Sequence, residues 1–175
     1  MSEASAAPPP RASSRGDPDE AFWRFSLDFY RLPGVEGALI ALQDQAGHDV
    51  NLILYALWLG WSGRGRLDER ELAAAAAAAG PIRERITAPL RELRRRLRSD
   101  PDPAVQSLRE HLKALELEAE RIAQSRLAAQ AGPPAARSAQ SRRAAARANL
   151  ARALGQQAGS AEAAILAQAL DRLPE

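Results

Sequence analysis

The chain has 175 residues, enough for one ordinary domain with tails. Hydrophobic residues make up 46% and aromatics only 5%, so alanine carries much of the apolar content and favours closely packed helices. There is no cysteine and the net charge is only +2, which excludes disulfides, thiolate nucleophiles and cysteine metal sites and suits a reducing cytoplasm.

Residues 1–16, "MSEASAAPPPRASSRG", have no apolar core of a secretory signal and read as a disordered tail. The first helix starts at Asp17 as N-cap, with Pro18 in the first helical position and Glu20 where a capping-box acid belongs. Phe22, Phe25 and Phe29 share one of its faces, and Trp23, Leu27 and Tyr30 another. A second helix runs from about Gly34 to Gln45, with Val35, Leu39 and Leu42 inward. Gly47 ends it. A third runs from Asp49 to about Ser62, is apolar nearly all round, and is expected to be the buried central helix. Its apolar stretch is interrupted by Asn51 and Tyr55 and falls short of the roughly 18 apolar residues of a membrane span. Asp68 and Glu71 form a capping box for a fourth helix ending at Gly80.

Pro81 opens the fifth helix in this reading, with an apolar stripe of Ile82, Ile86, Leu90, Leu93 and Leu97 that Pro89 kinks or splits. The sixth, from about Pro103 to Gln130, carries Val105, Leu108, Leu112, Leu115, Ala119 and Ile122 at bundle spacing. Residues 131–175 form a linker and C-terminal helices, one basic from about Ser138 to Leu154 and a last one capped by Ser160. No strand pattern appears. The expected fold is all-α, an orthogonal or irregular bundle of about six to eight helices, with a helical core domain over 17–130.

The polar knot before the central helix is the main site candidate: Gln43, Asp44, His48, Asp49 and Asn51. Three readings compete for it. The first is a helix junction, in which Gly47 ends one helix, Asp49 or its neighbours satisfy the free amides of the next, and Asn51 pairs with Asp44 or a backbone carbonyl. The second is a small-molecule pocket, with Asn51, Tyr55 and Trp58 at i, i+4, i+7 along one face. The third is a metal or phosphate site at Asp44, His48 and Asp49, which the spacing does not support. No catalytic constellation, resident metal or cofactor motif is present: there is no P-loop, no Rossmann glycine pattern, no G-x-S-x-G and no H-E-x-x-H. Lys113 is the single lysine, so lysine-based covalent catalysis has one residue to draw on.

Charge is uneven along the chain. Asp17 to Gly80 holds ten acids against five bases, and Pro81 to Gly155 eight acids against sixteen bases. The halves complement each other in one fold or dimer, or the basic half meets an anionic partner. Arg91, Arg94, Arg95 and Arg98 are the candidate contacts for an anion or a partner. They equally suit a solvated or intramolecular role opposite Glu110, Glu116, Glu118 and Glu120. Weak nucleic-acid binding through arginine-rich helices is a third function, but no aromatic is interleaved for stacking.

Together, "FWRFSLDFYRLPGV", "LQDQAGHDVNLILYALW", "PLRELRRRL" and "LELEAERI" resemble an uncharacterised family of small proteobacterial helical proteins, a domain of unknown function. The shared pattern falls on Phe22-Trp23, Gln43-Asp44, Val50-Asn51-Leu52 and Trp58. The resemblance implies no activity. The leading expectation is a cytoplasmic protein-interaction module that binds another protein or self-associates, not a membrane. The alternative is a small-molecule binder or enzyme with its pocket at the Gln43–Trp58 junction.

Overall fold

The computed structural model describes residues 17–174; the expected tail lies outside them. Eight α-helical segments occur, and no strand is found among the described residues. They are α1 (Pro18–Tyr30), α2 (Val35–Ala46), α3 (Val50–Trp61), α4 (Glu69–Ile82), α5 (Ala88–Arg96), α6 (Pro103–Ala128), α7 (Ala139–Leu154) and α8 (Ala161–Ala169). No helix among the described residues is long and apolar enough to cross a membrane.

The helix starts follow from local chemistry. Asp17, Asp49, Asp68, Asp102, Ser138 and Ser160 each accept a hydrogen bond from a first-turn amide, satisfying donors that have no partner within the helix. Asp68 and Glu71 form the reciprocal capping box at 2.7 and 2.8 Å. Glu20 does not act as a capping-box acid. It turns away to α6, where Arg121 donates to it at 3.2 Å.

Helix α3 is the axis of the molecule. Residues Ile53 to Gly60 are all buried, so neighbours cover it on every side. Phe22, Phe25 and Phe29 of α1 and Val35, Leu39 and Leu42 of α2 are buried in the same core. On another side α7 comes so close that a β-carbon at Gly60 would lie 2.2 Å from the Ala146 amide nitrogen. Only glycine admits that approach. Asn149 of α7 is fully buried and bonds three backbone groups. Its Nδ2 donates to the carbonyls of Ala56 (3.1 Å) and Gly65 (3.0 Å), and its Oδ1 accepts from the Leu67 amide at 2.8 Å. Leu150, Leu154, Leu166 and Leu170 complete the core from α7, α8 and the turn after α8.

Three expectations need correction. The fourth helix does not stop at Gly80, and Pro81 does not open a new one: α4 runs through both to Ile82. It then passes through a widened π turn, Arg83–Thr87, into α5, forming one continuous rod. In that turn the Ala88 amide donates five residues back, to the Arg83 carbonyl. Pro89 is the local reason. It has no N–H to continue the ladder, and its ring crowds the carbonyl four residues earlier, which the wider turn relieves.

The extra residue rotates everything downstream. Thr87, Arg91 and Arg94 turn inward, while Ile86 and Leu93 of the expected stripe are exposed. On α6 the buried line runs through Leu112, Glu116, Ala119, Ala123 and Leu127. Leu108, Leu115 and Ile122, expected in the seam, are exposed.

Two substitutions test this framework by chemical denaturation. Gly60→Ala is expected to cost about 3 kcal/mol or more, because two backbones must separate. Asn149→Leu is expected to cost on the order of 3 kcal/mol, because three buried backbone groups lose their partner. Values below 1 kcal/mol for either would contradict the α3–α7 contact.

Candidate functional site

The polar knot is a helix junction built from local hydrogen bonds. Gly47 adopts a left-handed φ of 71°. Its amide donates to the Gln43 carbonyl and the His48 amide to that of Leu42, both at 3.2 Å, closing α2. Asp49 then caps α3, accepting from the amides of Asn51 (2.9 Å) and Leu52 (3.4 Å). Asp44 faces the surface, where Gln43 (3.1 Å) and Arg95 (2.6 Å) donate to its Oδ1. Those two bonds hold its carboxyl below the usual carboxylate range.

Asn51 pairs with neither Asp44 nor a backbone carbonyl. Its Oδ1 accepts from Gln124 Nε2 of α6 at 2.9 Å. Gln124 Oε1 lies 3.2 Å from the Ser26 hydroxyl of α1, which is also 3.0 Å from the Phe22 carbonyl. This chain of polar groups joins α1, α3 and α6.

Tyr55 and Trp58 do not join Asn51 along a pocket wall. Both are buried in the core beside Phe22, with ring centroids 5.7 and 5.0 Å away. Burial, and secondarily the charge of Glu71, pushes the Tyr55 hydroxyl up to about 12.

Two cavities flank Asn51. The larger is a cleft of about 1230 Å³ between α1–α2 and α6. Ser26, Asn51 and Gln124 line it, together with Trp23, Leu27, Tyr30, Ile40 and Leu117. Leu27, Ile40 and Leu117 are 40, 46 and 51% exposed. Arg31, Glu36, Arg94, Glu110, Lys113, Glu116 and Glu120 supply its charge. The smaller cavity, about 190 Å³, gathers Gln43, His48, Asp49 and Asn51 from the knot. Asp44 borders neither cavity.

The candidate arginines separate. Arg91 donates to Glu116 (2.6 Å) and Glu120 (2.8 Å), and Arg94 to Glu116 (2.6 Å). These pairs cement α5 to α6. Arg95 reaches back to Asp44, and Arg98 is exposed. Burial works to raise the Glu116 carboxyl, but the hydrogen bonds from Arg94 and Arg91 outweigh it and leave it below the usual range. Glu120 moves the other way: burial raises it, and the neighbouring Glu116 charge adds to that. Burial also pushes the Tyr30 hydroxyl up to about 12, with the Glu120 charge contributing. No group of three or more metal-ligating side chains occurs among the described residues.

The sequence reading did not single out Ser26, Gln124 or Thr87, and it took Glu116 only as part of an acidic face. Glu116 and Glu120, four apart, could have been matched to Arg91 and Arg94, three apart. Nothing local marks Gln124 or Ser26, because their partners lie on distant helices.

Glu116 sets a pH test. Below pH 4.5, the ordinary glutamate value, the unfolded chain binds a proton that folded Glu116 still lacks. The unfolded state then holds more protons, so stability rises with pH in that window, and acid removes the Glu116 contribution as pH falls through its depressed folded value. Glu120 has the opposite sign, because its folded value is raised: its contribution falls as pH rises through that value. Glu116→Gln is expected to cost about 3 kcal/mol at neutral pH and to flatten the acid slope. Glu120→Gln is expected to cost less. Denaturant midpoints measured across the acid range decide it, and an unchanged slope in Glu116→Gln would remove the assignment.

A family model described as "Protein of unknown function (DUF2390)" matches residues 21–127. No curated protein and no solved structure matches the chain. The matched span runs from the first turn of α1 to the end of α6 and includes every residue lining the cleft, but none of α7 or α8. Because the match covers more than half of the chain, the protein belongs to this family of unknown function.

Proposed function

We propose that the protein is a protein-interaction module whose cleft between α1–α2 and α6 receives an amphipathic helix from a partner protein. The observation that carries this reading is the cleft's shape. Its α6 wall extends from Glu110 to Gln124, about 21 Å at the helical rise per residue. That length suits a helix of three to four turns better than a compact metabolite. Exposed Leu27, Ile40 and Leu117 offer apolar purchase along it. The charges of Glu36, Glu110 and Lys113 at its rim suit a partner with polar residues of both signs beside its apolar stripe. The reading places the protein in the cytoplasm, which the cysteine-free composition supports.

The test is selection of peptides from a random library on the purified full chain. The expected winners carry apolar residues at helical spacing and gain helicity on binding. Leu117→Asp is expected to weaken them on the order of a hundredfold or more, as loss of a central contact does, with an unchanged melting temperature because Leu117 is exposed. Winners without helical periodicity, or winners indifferent to Leu117→Asp, would sink the proposal.

A further inference from the structure

Helices α5 and α6 leave a second apolar face uncovered, across α6 from the cleft. The two helices run antiparallel: Arg91 bonds Glu116 and Glu120, and Arg94, three residues later, bonds Glu116. That register brings Leu93 level with Leu115, and Ile86, in the π turn, level with Ile122. Successive residues on a helix point about 100° apart, so the contacts made beside each residue fix its side. On α5, Arg95 reaches Asp44 of α2, so Leu93, on the other side of Arg94, points away from α2. On α6, Glu116 faces α5, and Gln124 faces α1 and α3 through Ser26 and Asn51. Leu117 stands on the Gln124 side of Glu116. Leu115 stands on the opposite side, with Leu108 and Ile122 seven residues before and after it.

Ile86, Leu93, Leu108, Leu115 and Ile122 are each between 40 and 50% exposed. Five of the nine exposed large aliphatic side chains among the described residues therefore gather on this one face. Single exposed apolar residues are ordinary, but a contiguous group marks a contact surface.

The symmetry of the face selects its partner. Leu108 and Ile122 are equally spaced about Leu115. A second copy of α6, laid antiparallel and centred there, sets Leu115 against its own counterpart and Leu108 against Ile122 of the other copy. The polar residues obey the same symmetry. His111 and Glu118 flank the seam on the side away from α5, four residues before Leu115 and three after it, so each His111 meets the other copy's Glu118. An imidazole N–H donates to a carboxylate whether the ring is charged or neutral. Both side chains are exposed, and neither has a hydrogen bond or ion pair with another described residue. Such reciprocal matching, residue for residue, is what a two-fold contact requires. The size fits as well. Helix α6 has 26 residues, about 39 Å, and α5 beside it makes the face roughly 20 Å wide. That is about 800 Å² per copy, a standard stable interface, with an apolar centre and a polar rim.

We infer that the α5–α6 face is a homodimer interface, in which two copies of α6 pack antiparallel about a two-fold axis at Leu115. The inference does not depend on the cleft of the proposed function.

The chain has no cysteine, so an introduced one reports its neighbours without background. Leu115→Cys is expected to link two copies by a disulfide under air oxidation, because residue 115 faces itself. Leu117→Cys, similarly exposed but on the cleft side, is not. Sedimentation of the wild type is expected to give twice the 18.9 kDa chain mass, falling to the single-chain mass on dilution. Leu115→Asp is expected to weaken the dimer on the order of a hundredfold or more while keeping its helical circular dichroism. His111→Glu and Glu118→His are each expected to weaken it. The two together in one chain are expected to restore it, because each exchanged residue again meets its complement. Leu117→Asp is expected to leave the mass unchanged. A wild type that sediments as a single chain even at high micromolar concentration leaves the face to another occupant and overturns the inference. So do equal cross-linking at positions 115 and 117, an undiminished dimer in Leu115→Asp, or a double exchange that fails to restore association. Loss of peptide binding with an intact dimer would count against the cleft alone.

Discussion

An α-helix whose apolar residues face every direction must be covered on every side, and α3 imposes that demand on the rest of the chain. From Ile53 to Gly60 it has no solvent face. Helices α1 and α2 cover part of it with their phenylalanine and leucine faces. Helix α7 covers another part at backbone contact distance, which Gly60 alone permits. The buried Asn149 fixes that contact in register, because its amide satisfies three backbone groups in the α3–α4 region at once. Apolar burial supplies the attraction here, and a polar group supplies the unique alignment.

The same helix positions the candidate site. The N-terminal end of α3 emerges from the core at Asn51, where the surroundings turn from apolar to polar. Gln124 links that end to α6, and Ser26 links it to α1. These bonds bind the cleft's polar lining at one level, while its rims of Leu27, Ile40 and Leu117 remain uncovered. Glu116, gripped by two arginines, holds the rod against α6. The arginine-rich segment is therefore partly internal wiring. Each of the three tryptophans also carries an arginine over its ring: Arg121 on Trp23, Arg64 on Trp58, and Arg142 and Arg143 on Trp61. Such stacking uses the guanidinium's flat, weakly hydrated face.

Much of the secondary structure was legible because its causes are local. The caps at Asp17, Asp49, Asp68 and Ser160, the glycine turn at Gly47 and the all-round apolar character of α3 each depend on a few adjacent residues. The misreadings arose where burial depends on a distant neighbour. Leu108, Leu115 and Ile122 keep bundle spacing, yet α5 arrives on the adjacent face and buries Glu116 instead. The stripe from Ile82 to Leu97 assumed a regular 3.6-residue period. With one extra residue in the π turn before Pro89, Ile86 and Leu93 face solvent while Leu90 and Leu97 stay half-buried.

The candidate site divides in the same way. The sequence by itself determined that one helix ends at Gly47 and the next begins beside Asp49, because the bonds that close and cap them span two to six residues. It also put Arg91 and Arg94 on one helix, but left open whether the acids of the next helix, solvent or a partner meet them. Only the tertiary structure decided that Asn51 meets Gln124 and Ser26, that Tyr55 and Trp58 belong to the core, and that Thr87 borders a polar cavity. Those outcomes depend on how helices far apart in the chain are rotated against one another. That rotation is set by close packing and by the pairing of buried charges, neither of which is written in the periodicity of a single helix.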